Sequence, residues 1–343
     1  MISESSHIAK VKRISPRWNF VLKAVVSVSL LFLIYRQIIA EQDFTAFWAS
    51  LTSQLSEANP FWLVATILLI PLNFIFENLK WRTLLKGVTP VSFWTSMKAI
   101  LCGSTLGIVT PNRLGEYGGR ILYIAPEDNW KAVYATGVGN IAQLIILLTF
   151  GWVGALIFFN ANADIPVLLT SGSIFLGIAG LTLLVVLYFN IDIAINLINR
   201  FPILRKFKTR IKQWKAFQHL EILRSYQSTD LNTALAFGFL KYVVYSSQYV
   251  LLLYFFGIDI SLLHALAGIA SIYLIQTSIP LPAFIGLVAR GELALLMWSY
   301  YSDSPAHILG ATFTLWILNL MIPALIGLLL IYKVNILKSL GYD

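Results

Sequence analysis

Five charged residues stand in short stretches flanked by long apolar runs: Arg113, Glu116 and Arg120 within TPNRLGEYGGR (110–120), and Arg290 and Glu292 at the end of SIPLPAFIGLVARGE (278–292). Arginine carries a planar fork of donors that grips a phosphate or carboxylate with two hydrogen bonds. Glutamates beside it balance the charge of an empty site or carry a proton. The combination suits the holding of a mobile anion. A second reading is local: Glu116 and Arg120 are four apart, so on one helical turn they neutralise each other. A third places the first stretch in an ordinary cytoplasmic loop. Neither stretch offers an activated nucleophile. His7, His219, His264 and His307 are scattered, and no Walker loop, nucleophile elbow or dinucleotide fingerprint occurs. No catalytic residue, metal site or cofactor is therefore expected, and the single cysteine, Cys102, excludes an internal disulfide.

The surrounding composition decides what holds these residues. Of 343 residues, 58% are hydrophobic and only 12% charged, with a mean hydropathy of +0.75. Soluble domains carry about a quarter charged residues, so the expected class is an all-α polytopic membrane protein. A span needs about 20 apolar residues, and six stretches qualify: 19–39, 60–79, 132–159, 166–189, 233–256 and 306–332. The basic N-terminal stretch has no small-residue cleavage site after its apolar run, which reads as a retained anchor. Residues 43–58 read as an interfacial helix.

Lys and Arg mark the cytoplasmic side. Lys10, Lys12, Arg13 and Arg17 place the N-terminus inside, as do Lys80, Arg82 and Lys86 for the loop after the second span. Segment 190–232, with eight basic residues from Arg200 to Arg224, and the tail with Lys333 and Lys338 also fall inside. Loops 40–59, 160–165, 257–260 and 301–305 hold acidic residues and no basic ones, so they fall outside. Regions 92–125 and 261–300 must then each return to the side they start from. Both are broken centrally by proline, glycine and charge, so two re-entrant helical hairpins of opposite orientation are expected, an inverted repeat.

The hairpin tips would hold Thr110, Pro111, Asn112, Gly115, Gly118 and Gly119 in the first half and Pro280, Pro282 and Gly286 in the second. Proline ends an incoming half-helix and glycine permits the reversal. A half-helix leaving the tip would aim its positive N-terminal end at an anion. The expected organisation is a cytoplasmic tail (1–18) and a single transmembrane domain (19–335). Its halves are 19–189 and 233–335, joined by a basic amphipathic cytoplasmic linker (190–232), and a cytoplasmic tail follows (336–343). Lys98, Asn140, Gln143, Lys241, Gln248 and Gln276 within spans read as snorkelling residues or helix–helix glue. The run 200–215 alternates basic with bulky apolar residues, which suits an anionic leaflet. The formal net charge of +9 thus reports topology and not a nucleic-acid partner.

At these residues the sequence resembles the membrane domain of the lysylphosphatidylglycerol synthase/flippase family. That family shows a TPGRLGE-type motif, matched by Thr110 to Glu116 with Asn112 replacing a glycine, and a PxPGGxGxxE-type motif, matched in Pro280, Pro282 and Gly286. Ala283 and Phe284 replace the paired glycines, Ala289 stands where the family glutamate falls, and Glu292 lies three residues later. The resemblance in topology spans about 20–335. It implies a lipid-handling protein of a bacterial cytoplasmic membrane. In bifunctional relatives this domain flips aminoacylated phosphatidylglycerol, while a separate soluble domain makes it from aminoacyl-tRNA. This chain has no segment for that soluble domain, so it resembles the free-standing relatives.

The expected function is therefore a flippase or transporter for an anionic lipid: aminoacylated or plain phosphatidylglycerol, or a polyprenyl-phosphate-linked lipid. The alternatives are a membrane-embedded transferase acting on a lipid or polyprenyl phosphate, and a small-anion secondary transporter. Expected partners are an anionic lipid and the bilayer.

Overall fold

The computed structural model describes residues 16–38, 43–87, 89–162, 167–193, 195, 220–278 and 286–341. The described residues are helical and contain no strand. Within the first half lie α1 (Pro16–Ile38), α2 (Asp43–Glu57), α3 (Pro60–Leu85), α4 (Phe93–Ile108), α5 (Gly115–Ile121), α6 (Asn129–Asn162) and α7 (Val167–Phe189). The second half holds α8 (Ser228–Phe255), α9 (Leu262–Ser278), α10 (Gly286–Trp298), α11 (Pro305–Trp316), α12 (Ile322–Tyr332) and the short α13 (Ile336–Ser339).

Five helical stretches among the described residues are long and apolar enough to cross a bilayer: Pro60–Leu85, Pro126–Asn162, Ser171–Phe189, Ser228–Phe255 and Pro305–Tyr332. They correspond to the second to sixth expected spans. The first falls on the 23-residue α1, whose Phe20, Val28 and Phe32 are exposed. Of the expected interfacial stretch 43–58, residues 43–57 form the amphipathic α2, which packs on α11. The basic run 200–215 lies outside the described residues.

Helix α3 is the most extensive partner of α8, and around this pair the contacts are reciprocal. In the first half α6 packs on α9 of the second; in the second half α12 packs on α4 of the first. Small residues make both approaches possible. A Cβ on Gly154 would lie 2.8 Å from the Ala267 carbonyl oxygen, and one on Gly327 would lie 2.1 Å from that of Leu101. Close backbone approach is how helices gain contact where lipid tails remove the hydrophobic drive.

Region 92–125 does reverse direction: α4 and α5 pack side by side around a single 3₁₀ turn, Pro111–Arg113. The arms are unequal, with 16 residues in α4 and 7 in α5. In region 261–300 the arms are α9, with 17 residues, and α10, with 13. Pro280 and Pro282 between them lie outside the described residues, and Gly286 begins α10. One expectation is corrected here. Lys80 is not a loop residue after a span ending at 79: α3 runs on to Leu85 and Lys80 is 1% exposed. The sixth span also departs from a plain helix, with a π-helical turn at Ile317–Met321 between α11 and α12.

Candidate functional site

The first tip is built by backbone demands. The residue before a proline avoids the helical region, and α4 stops at Ile108, short of Thr110 and Pro111. Asn112 then takes φ 51° and Arg113 φ 57°. That left-handed region favours glycine and, among other residues, asparagine, which explains how Asn112 can stand where the family motif has glycine. The Thr110 hydroxyl donates to the Leu106 carbonyl at 2.8 Å and accepts from the Gly115 amide at 2.6 Å, closing the turn. Gly115 and Gly119 are required by space, because a Cβ would come within 2.1 Å of the Leu106 carbonyl oxygen or 2.4 Å of that of Cys102. Gly118 is under no such pressure, its nearest neighbour being the Leu106 side chain at 4.0 Å.

This tight return places Glu116 and Arg120 on the inner face of α5, and both are buried. They do neutralise each other, as one link in a larger network. Arg120 also donates to Glu77 Oε1 of α3 at 2.6 Å, and its guanidinium lies 5.2 Å from the Trp81 ring centroid. Glu77 Oε2 binds Lys80 Nζ at 2.8 Å and Lys241 Nζ of α8 at 2.7 Å. Arg113 approaches Glu116 Oε2 at 3.5 Å, with its own side chain 54% exposed. Three helices from both halves of the chain thus meet at Glu77.

Sequence analysis does not single out Glu77, and it reads Lys80 as a topology marker and Lys241 as a snorkelling residue or helix–helix glue. The available signal was the Glu77/Lys80 pair, three apart inside an apolar run.

Beside the network lies a cavity of about 270 Å³. Four cations line it (Arg113, Arg120, Lys241 and Arg290) against two carboxylates, Glu77 and Glu116. Arg290 of α10 is brought to the same cavity as the first motif. It makes no ion pair among the described residues. Glu292 is exposed and does not line the cavity. Helix α5, of 7 residues, spans just under two turns. The positive character of the site therefore comes from side chains more than from a half-helix dipole.

Neutral polar groups complete the wall. Asn73 of α3 donates to Asn319 Oδ1 at 2.9 Å across the bundle, at the π-helical turn. π-turns within helices recur at functional sites. Gln143, Gln276 and Tyr273 also line the cavity. Within their spans Lys241 is residue 14 of 28, Asn319 is 15 of 28 and Gln143 is 18 of 37. The cavity is thus at mid-height of three helices long enough to cross a bilayer. A neighbouring apolar cavity of about 600 Å³ is lined by α6, α8 and α9 and shares Tyr242 with it. No group of three or more metal-ligating side chains occurs among the described residues.

A comparison with curated proteins finds no match. The family model for the lysylphosphatidylglycerol synthase TM region matches residues 20–327, which takes in regions 92–125 and 261–300 and every residue of the charged network. The protein is an integral membrane protein and belongs to the lysylphosphatidylglycerol synthase transmembrane family.

Proposed function

We propose that the protein is a lipid flippase that carries an anionic head group between leaflets through the charged cavity. The cargo is a phospholipid such as plain or aminoacylated phosphatidylglycerol, or a polyprenyl-phosphate-linked lipid. The observation that carries this reading is the excess of cations over carboxylates in a cavity at the mid-height of spanning helices. Charge at that depth is costly, about 2.5–3.5 kcal/mol per residue on insertion scales, and tends to be kept where it serves a pathway. The volume of about 270 Å³ lies just below the usual small-molecule range of roughly 300–1,000 Å³, which suits a head group. The adjoining apolar cavity, joined through Tyr242, supplies an environment for the acyl chains while the head crosses.

In this reading 92–125 and 261–300 are re-entrant hairpins entering from opposite faces, the halves form an inverted repeat, and both termini are cytoplasmic. The reciprocal packing of α6 on α9 and α12 on α4 supports that symmetry. Arg113, exposed and held only loosely by Glu116, is the first group to meet the phosphate, and Arg290 faces it from the second half. Arg120 and Lys241, tied to the carboxylates, set the field and hold the walls together.

The test is transport. Purified protein in liposomes should move a labelled phosphatidylglycerol between leaflets with no soluble donor substrate present. Arg113→Ala should slow it about tenfold or more, one charge-assisted contact being worth about 1.5–3 kcal/mol. Arg224→Ala, which breaks only the exposed pair with Asp192, should leave the rate unchanged. Equal rates for protein-containing and protein-free liposomes would end the flippase reading.

A further inference from the structure

We propose that the cavity selects lipid phosphates whose head group carries hydroxyls and no cation, and so rejects aminoacylated heads. The proposal rests on the lipid-carrying reading above and narrows its cargo.

The first argument is the occupancy of the carboxylates. Glu77 Oε1 accepts from Arg120, and Glu77 Oε2 is held by both Lys80 and Lys241. Glu116 Oε1 is bound by Arg120, and Glu116 Oε2 faces Arg113. Every carboxylate oxygen lining the cavity therefore already has a cation. An incoming ammonium would have to displace a cation to reach a carboxylate, and it meets Arg290, Arg120 and Lys241 on the same walls as Arg113. Like charges brought together in a desolvated site cost several kcal/mol in binding, which is the usual device for rejecting a wrong partner.

The second argument is what remains unpaired. The Tyr273 hydroxyl and the Asn73 amide oxygen are buried without a hydrogen-bond partner among the described residues, and both residues line the cavity. Buried polar atoms without partners are rare and costly. A phenol can donate or accept and an amide oxygen accepts, so a hydroxyl satisfies both and an alkyl group neither. The Gln276 and Thr277 side chains line the same wall. Arg290, with no carboxylate among the described residues, remains for the phosphate. The complement of this surface is a phosphodiester bearing a neutral, hydroxylated substituent, such as a glycerol or a sugar.

Competition binding on the purified full chain in detergent micelles tests this, with fluorescent phosphatidylglycerol as the probe. The competitors are phosphatidylglycerol, phosphatidylethanol (the same charge without head-group hydroxyls) and lysyl-phosphatidylglycerol. Phosphatidylglycerol should compete about tenfold better than phosphatidylethanol, the value of roughly one satisfied buried hydrogen bond. The lysyl lipid should be weaker than phosphatidylglycerol by at least about tenfold. Tyr273→Phe should bring phosphatidylglycerol close to phosphatidylethanol. If that variant does not fold, the three-lipid ranking on the wild-type chain decides alone. Equal or tighter binding of the lysyl lipid overturns the selectivity and leaves the flippase reading standing. Failure of every lipid to displace or bind overturns both.

Discussion

Glu77 shows how one carboxylate can organise the site. It holds Arg120, Lys80 and Lys241 from three helices, and its exposure is 5%. Removing one partner of a buried ionic cluster strands the others, at about 3–5 kcal/mol. Glu77→Gln should therefore lower thermal stability in detergent by that order, whereas Arg113→Ala should impair transport with little loss of stability. A second experiment separates pairing from cargo binding. In Glu116→Gln/Arg120→Gln, Glu77 keeps Lys80 and Lys241, so the double variant should fold while staying inactive. Full recovery of transport would show that the field set by Arg120 is not needed for cargo movement. Arg113, Glu116 and Arg120 were legible in the sequence because charge in an apolar stretch is expensive and must be explained. Glu77 was not: it sits near the end of the span expected at 60–79, where a charge looks interfacial, although α3 runs on to Leu85. Only the approach of α5 and α8 reveals its partners, and such contacts have no sequence period.

The hairpin tip tests the account at the scale of an element. Asn112 at φ 51° predicts that Asn112→Gly is neutral or stabilising. Asn112→Val should destabilise by about 1–2 kcal/mol, the cost of a left-handed residue with a branched side chain. Gly119→Ala should be worse, because its Cβ would overlap the Cys102 carbonyl and α4 and α5 would have to part. The break in region 92–125 was legible from proline and glycine. The unequal arms were not, since Gly118 and Gly119 look equivalent on paper and only one contacts backbone. The π-helical turn around Asn319 was likewise hidden, and the partner of Asn319, Asn73, lies 246 residues away in sequence. For orientation, single cysteines at 112 and 284 in a Cys102→Ser background should be labelled from opposite membrane faces, and slowly. Rapid labelling of both from the cytoplasm would end the inverted-hairpin arrangement.

At the scale of the molecule, α3 and α8 form a shared axis, with α9 packed on α6 and α4 on α12 across the two halves. The cavity is a product of that exchange: Arg113 comes from the turn between α4 and α5, Arg290 from α10, and Lys241 from α8. Composition made the membrane class plain, since 58% hydrophobic residues with 12% charge leave no alternative solvent. The meeting of the halves rests on side-chain contacts that no single segment encodes. The central claim is that an anionic lipid head group occupies this shared cavity. It is tested most directly by an electron cryo-microscopy map of the protein in phosphatidylglycerol nanodiscs. The account predicts phosphate density between Arg113 and Arg290, with acyl chains leaving past Tyr242 into the apolar cavity of α6, α8 and α9. Ordered phosphatidylglycerol bound elsewhere, with only water between the two arginines, would contradict it.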